Sequence, residues 1–466
     1  MFVSLRYPDG KEYPEIPLSH GGILDGIEAI AELPQARRDA LVQLLTHACP
    51  DPAVLTYRAE LAEELVKSPK LAEIFRDLSE LRSIQKQVCP SGETVEIHHL
   101  LTVTAFQDFS RQFDRFCDSL SSYVPESAAA KRCFLCCRNY GESFEYKELK
   151  VKAAEVIRAL GFSYGFTLAV GNPTDGEPTV RLRKESDEAE GVRRFADRVL
   201  AEFGVSRSEE KPPCQRPYTD IEIAVLTGII RKDPRLARRL EDFTESFAAA
   251  GTEEILRLGN EALAFVAANE IYTRGQSAGY SLCRPVFRNT GFYSEITELC
   301  YTSQSGDVQR QDFSTSPLNH LTVVCGPDAE AYLNAVGFAH LAASAGGLVF
   351  AREAQIAPVT LLERDQKERL STEHLTEDSL CLCGHMFDAM LPRQEDAAVT
   401  EVLLRLAEQN TRSVVRICSK SNLSVLEKKV YGNLLPSCTL LQVGTDRTLE
   451  ELLQRHRLTE EKEADV

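Results

Sequence analysis

The chain has 466 residues, 43% of them hydrophobic and 26% charged, a globular composition with enough apolar residues for a large core and for two to four domains. Its formal net charge of −17 argues against non-specific nucleic-acid binding by the chain as a whole and leaves room only for a local basic face. No stretch is long and apolar enough to span a membrane, and the opening MFVSLRYPDGKEYPE has no apolar signal-peptide core, so a cytoplasmic protein is expected.

Residues 18–50 read as one or two helices divided at Pro34. Asp51-Pro52 then starts a helix by supplying a capping carboxylate and a proline in the first turn, and Leu55, Leu61, Leu65 and Val66 mark its apolar side. Ser68-Pro69 repeats the start signal, followed by Leu71, Ile74, Phe75, Leu78 and Leu81 at three- and four-residue spacing. Residues 95–160 are predicted mostly helical. Leu100, Val103, Phe106, Phe109 and Phe113 form one stripe, extended by Phe116 and Leu120, that reads as core. At Phe162 the period changes to two. Phe166, Leu168 and Val170 alternate with their neighbours, and so do Val180 and Leu182 after a polar turn, predicting two strands. An acidic connector (186–191), a helix (192–203) and a polar linker (206–216) come next, and helices resume from 218 to about 274.

Three groups of residues invite a chemical reading. Arg231, Lys232, Arg235, Arg238 and Arg239 form a basic cluster that either contacts phosphate or is a solvated face balanced by Glu241, Asp242 and Glu245. Gly275-Gln-Ser277-Ala-Gly279 matches G-x-S-x-G, but a nucleophile elbow needs a strand before and a helix after; here a helix (256–271) precedes it, so it reads as a glycine-rich break. Fourteen cysteines are too scattered for a small disulfide framework. Cys133-Phe-Leu-Cys136-Cys137 and Cys381-Leu-Cys383-Gly-His385 lack a second pair at zinc spacing, so buried thiols and no metal are expected.

Residues 286–318 look like short strands and loops. The C-terminal part is organised around residues 321–358: an apolar run ends in Gly326-Pro327, a small-residue helix comes next, and a second apolar piece ends at Ile356-Ala357-Pro358. Strands predicted near 378–385, 413–418 and 438–443 alternate with helices near 396–409, 423–430 and 448–457, which indicates an α/β domain with a mostly parallel sheet. The tail from 460 is charged. Strand, Gly-Pro turn and helix outline a phosphate loop. A working loop needs G-x-x-x-x-G-K-[ST], glycines for the backbone cradle, Lys for the phosphate charge and Ser/Thr for Mg²⁺. Here Gly326 is followed by Pro-Asp-Ala-Glu-Ala-Tyr-Leu-Asn, and Glu330 brings a repelling carboxylate. Either a nucleotide fold has lost its nucleotide or this is an ordinary strand–turn–helix.

The order of helical bundle, β-insert, helical return and α/β domain, with several local strings, resembles the MutS family of mismatch-repair and recombination ATPases. The nearest likeness is to the shorter bacterial members without the mismatch-reading domain. Asp51-Pro52-Ala-Val-Leu-Thr-Tyr57-Arg58 resembles the start of that family's lever region, and Asn260-Glu261 with Ala264-Phe265 and Cys283-x-Pro285 resembles its helix and exit. Asn319-His320-Leu321 through Cys325-Gly326-Pro327-Asp328 is similar to the strand into its G-P-N loop, Gln355-Ile356-Ala357-Pro358 to its I-G-P, and Ser379-Leu380-Cys381-Leu382-Cys383 to its Walker B strand. The resemblance implies a helical lever bundle (1–160 and 216–285), a small clamp-like β-insert (161–215), a degenerate P-loop-NTPase-like α/β domain (286–458) and a charged tail (459–466). The departures carry the functional expectation. About three positions, those of the Lys-Ser-Thr, are missing after Gly326-Pro327, and Gly384-His385 stand where the family has Asp-Glu. Lys420 replaces the switch histidine, and the segment from Pro358 to Ser379 is too short for the loop that reaches across the dimer. Phosphoryl transfer rests on those groups, so no catalytic residue and no hydrolysed ATP or Mg²⁺ cofactor is expected. Gly326, Pro327, Asp328 and Glu330 would be a vestigial loop. The resemblance then implies a pseudo-ATPase scaffold or regulatory subunit in DNA repair or recombination, dimeric with itself or with a MutS-like paralogue, with DNA as a possible partner. A module that has lost both DNA and nucleotide binding, or a non-hydrolysing nucleotide binder, would fit the same residues.

Overall fold

In the computed structural model the described residues are 3–8, 13–18, 23–24, 32–82, 95–161, 165–169, 179–183, 230–231, 233–288, 293–316, 319–364, 376, 378–383, 405–406, 411–417 and 438–444. A short strand, β1 (Ile16–Pro17), is followed by α1 (Gln35–Leu45) and by β2 (His47–Ala48), which pairs antiparallel with β1. The expected helix therefore stops short of 50; one helix does begin directly after Pro34, and most of the stretch expected to be helical before it lies outside the described residues. The two Pro-based start signals hold. The Asp51 carboxylate accepts from Ala53 N at 2.8 Å to open α2 (Pro52–Lys67), and Ser68 Oγ accepts from Leu71 N at 3.2 Å to open α3 (Pro69–Glu80). Next come α4 (Val95–Ser119), α5 (Ala128–Glu142), α6 (Phe144–Gly161), the antiparallel pair β3 (Gly165–Ala169) and β4 (Thr179–Arg183), α7 (Pro234–Ala249) and α8 (Thr252–Ser277). The last part holds β5 (Val286–Phe287), β6 (Ser294–Thr302), β7 (Val308–Thr315), β8 (Leu321–Cys325), α9 (Ala329–Ser344), β9 (Glu353–Ile356), β10 (Leu361–Arg364), β11 (Ser379–Cys383), β12 (Arg412–Ile417) and β13 (Cys438–Gln442). The predicted helices at 192–203, 396–409, 423–430 and 448–457 lie wholly or almost wholly outside the described residues.

The chain divides into two compact units, one of Met1–Glu73, Pro125–Arg132 and Glu261–Val466, the other of Ile74–Val124 and Cys133–Asn260. The second unit is helical around an aromatic core. Phe106 meets Phe243 edge-on at 5.5 Å, Phe109 stacks on Phe113 at 5.4 Å, and Tyr140 and Tyr146 both pack edge-on against Phe113. The stripe read from the sequence is this core, and burying each ring stabilises by several kcal/mol at about 25 cal/mol per Å² of apolar surface. Tyr146 keeps its hydroxyl hydrogen-bonded by donating to Asp114 Oδ1 at 2.8 Å.

The first unit contains two main sheets. One is five-stranded, wholly parallel, in the order β10-β11-β12-β8-β13. Every residue of β8 and β11 is buried, as suits strands covered on both faces. The other has the order β5-β9-β6-β7, with β6 antiparallel to both β7 and β9. Its β6–β7 hairpin and the piece ending at Ile356 belong together, so the chain leaves the parallel sheet after α9 and returns to it at β10. The helix α9 is rich in Ala, Gly and Ser, with twelve buried residues, which lets backbone approach backbone on its packed faces.

A buried charge ties the N-terminal segment to this unit. Arg58 on α2 is fully buried; its Nε donates to Arg6 O at 2.8 Å, Nη1 to Ala345 O at 3.3 Å and Nη2 to Glu15 Oε1 at 2.7 Å. Its guanidinium lies 5.1 Å from the Tyr7 ring centroid, and Glu15 also pairs with Arg6 at 2.8 Å. Every direction of the planar fork is used, a geometry a lysine cannot reproduce.

Candidate functional site

The carboxyl ends of parallel strands are where an open α/β sheet places ligands, so the turn after β8 is the first place to look. β8 is an interior strand, flanked by β12 and by β13 at the edge, and α9 begins four residues after its end. The connecting turn is tight: Ala329 N donates to Gly326 O at 3.2 Å and Tyr332 N to Asp328 O at 3.0 Å. Gly326 has φ +112°, and a Cβ there would lie 2.0 Å from Val443 O. The stretch after β13 thus crosses directly over the turn, with Val443 N donating to Cys325 O at 2.9 Å. Asp328 is buried at 6% exposure, and its Oδ1 accepts from Gln304 N at 2.9 Å, while Gln304 Nε2 donates to Pro327 O at 2.8 Å. Burial and the Asp328 charge push the Tyr301 hydroxyl up to about 12. The residues at this turn do not fit a triphosphate: its glycine faces a carbonyl oxygen, its buried side chain is a carboxylate, and no cation faces it from the turn itself. Glu330 is half-buried in the first turn of α9.

Of the other predicted positions, Gly384, His385 and Lys420 lie outside the described residues, as does Lys232. Arg231, Arg235, Arg238 and Arg239 are exposed, the last three on α7, whose start is capped by Asp233 Oδ1 accepting from Arg235 N and Leu236 N. No ion pair among the described residues involves Arg235, Arg238 or Arg239. Ser277 lies in the last turn of α8, six residues beyond the expected helix end, and its hydroxyl donates to Thr273 O at 2.9 Å. Gly279, at φ +95°, closes that helix through Tyr280 N donating to Gly275 O at 2.9 Å. The G-x-S-x-G string is therefore a helix terminus.

Among the described residues ten cysteines are free, and no group of three or more His, Cys, Asp or Glu could hold a metal ion. Burial pushes the Cys117, Cys136 and Cys283 thiols up to about 12, away from the reactive thiolate. Its bond with Cys133, and then burial, raise the Cys137 thiol well above the ordinary thiol range. Cys381 and Cys383 face the same side of β11 with sulfurs 3.8 Å apart.

Sequence reading missed a buried polar group formed by Ser294, His340 and Arg412. Arg412 Nη1 donates to Ala357 O at 2.7 Å and to Ser294 Oγ at 3.2 Å. His340 Nδ1 lies 2.8 Å from Val336 O, a pure acceptor, so Nδ1 carries the proton; Nε2, 2.9 Å from Ser294 Oγ, then accepts from that hydroxyl. Burial, and secondly the Arg412 charge, lower the His340 pKa to about 3. A lone histidine in the apolar run Val336-Gly-Phe-Ala-His340-Leu-Ala was the available signal. The pH consequence has a definite sign. The unfolded histidine takes a proton near pH 6.5 and the folded one only near pH 3, so the unfolded state binds more protons between these values. This contribution to stability is complete above about pH 6.5 and is lost as pH falls, at up to about 1.4 kcal/mol per pH unit. Urea denaturation across pH 4–7 should show this slope, and His340→Gln should reduce it by about one proton's worth.

No known family model matches the chain, and no curated protein matches it either. Among the described residues no helix is long and apolar enough to cross a membrane.

Proposed function

We propose that this chain is a MutS-like pseudo-ATPase, a cytoplasmic scaffold or regulatory subunit in DNA repair or recombination that works without hydrolysing ATP. The observation that carries the reading is the parallel order β10-β11-β12-β8-β13, in which the strand ending at Gly326 is an interior one and feeds directly into a helix. That is the position a phosphate loop holds in a nucleotide-binding α/β domain, and the strand that resembles Walker B, β11, lies two places away, with β12 between. The antiparallel pair β3–β4 between helices supports the clamp-like insert. The turn itself supports loss of the nucleotide, since Val443 O and the Asp328 carboxylate occupy the surroundings of Gly326. The chain would act as a homodimer or paired with a MutS-like paralogue, because the family's ATPase-like domains pair across a composite site.

Three exposed arginines without ion partners among the described residues favour DNA as a partner, and the net charge of −17 favours the second reading, a protein-interaction module that binds neither DNA nor nucleotide. Calorimetric titration with Mg²⁺-ATP and Mg²⁺-ADP should give no heat up to millimolar nucleotide; micromolar binding would overturn the pseudo-ATPase reading in favour of a non-hydrolysing nucleotide binder. Fluorescence anisotropy with duplex and branched DNA should detect salt-sensitive binding. Replacing Arg235, Arg238 and Arg239 with Ser should weaken it, with the logarithmic salt slope falling by about one for each phosphate that is no longer neutralised. A wild-type chain that ignores DNA at low salt leaves the interaction module standing.

A further inference from the structure

The geometry points to the tip of the β6–β7 hairpin as a built-in latch that holds the turn after β8 shut. The inference rests on reading that turn as the vestigial nucleotide loop, and it adds what closes it. Asp328 occupies the N-cap position of α9, where a carboxylate ordinarily accepts from the N–H groups of its own helix. Here it makes no such bond. Its Oδ1 accepts instead from Gln304 N, 24 residues earlier and in the other sheet, and Gln304 Nε2 reaches Pro327 O. Two bonds from one residue therefore grip consecutive residues of the turn.

The tip is larger than the hairpin requires. Thr302 and Val308 are directly paired, so a two-residue turn would join the strands, yet Ser303, Gln304, Ser305, Gly306 and Asp307 intervene. These residues are internally braced. Ser303 N donates to Asp307 O at 2.9 Å, Asp307 N to Ser303 Oγ at 3.1 Å, and Ser305 Oγ to Asp307 Oδ2 at 2.8 Å. The bracing holds Gln304, with the buried Ser303 before it and the exposed Ser305, Gly306 and Asp307 after it, against a buried carboxylate. On the opposite side Gly444, at φ +88°, makes room: a Cβ there would lie 2.7 Å from Pro327 Cγ and 3.0 Å from Asp328 Oδ2. The turn is thus held between the hairpin tip and the stretch after β13. The latch joins the two sheets at the edge where a ligand would otherwise enter.

The test uses the full chain and amide hydrogen exchange. In one variant, Asn-Gly replaces Ser303 through Asp307, keeping the Thr302–Val308 pair; in the other, Asp328→Ala removes the carboxylate. Each should speed exchange of the Ala329 and Val443 amides about tenfold or more, while Ser413, whose N–H donates to His320 O at the far end of β12, keeps its protection. The two changes combined should exchange no faster than the shortened hairpin alone, because that variant already lacks both bonds to the turn. Unchanged Ala329 and Val443 rates, or effects that multiply, would overturn the latch. Should the shortened hairpin not fold, Gln304→Pro, which removes both the N–H that donates to Asp328 and the side chain that reaches Pro327, gives the same readout. Nucleotide binding by the unaltered chain would overturn the pseudo-ATPase reading and leave these rates as they are, so the two failures are distinguishable.

Discussion

Arg58→Ala should cost roughly 3–5 kcal/mol of folding stability, the range for breaking a buried pair by removing one partner. The reason is the set of acceptors left behind. Arg6 O and Ala345 O lose their donor, and Glu15, half-buried, keeps only Arg6 as an ion partner among the described residues. Ala345 caps α9, so the loss reaches the helix that comes after β8. Arg58→Lys should recover little, since one ammonium cannot serve three acceptors in three directions. Urea denaturation measures the cost, and limited proteolysis should show earlier cleavage within residues 3–17. A loss below about 1 kcal/mol for the alanine variant would mean that the N-terminal segment is held by its other contacts, chiefly Tyr57 donating to Ser4 O and Glu261 accepting from Leu5 N.

Gly326→Ala should cost about 3 kcal/mol or more, while Gly306→Ala should cost only about 1 kcal/mol. Both glycines have positive φ, +112° and +88°, so both substitutions strain the backbone. They differ in space: nothing lies within 4 Å of a Cβ at Gly306, whereas Val443 O stands 2.0 Å from one at Gly326. The clash is with backbone, which no rotamer change relieves, so the stretch after β13 must move away from β8. Thermal or urea unfolding of both variants gives the comparison. Equal costs would show that left-handed strain alone sets the penalty at Gly326.

The contrast between those glycines illustrates how far the chain could be read before folding. Gly326 drew notice by its place after an apolar run, but the constraint on it lay 117 residues later at Val443. Ser277 is the opposite case: the G-x-S-x-G string was rejected from its neighbours alone, and its place in a helix terminus is set by Gly279 and Tyr280 a few residues away. The stretch to residue 50 was misread because the pairing of His47–Ala48 with Ile16–Pro17 is a contact between segments about thirty residues apart. His340 and Arg412 passed unnoticed for a related reason. Nothing beside either residue announces that Ser294 will meet both.

What the sequence determined by itself is local or compositional. The caps at Asp51 and Ser68, the aromatic stripe through Phe106 and Phe113, the buried strands at Leu321 and Ser379, and the missing Lys and Ser/Thr after Gly326 arise from hydrogen bonds and side-chain spacing within a few residues. Tertiary structure alone decided the order of the parallel sheet, the crossing of Val443 over Gly326, the buried fork of Arg58 and the grip of Gln304 on Asp328. Such contacts require closing loops of tens of residues, and the hydrophobic burial that compensates the lost chain entropy is non-directional. It brings segments together without marking, in either one, which residue the other will present.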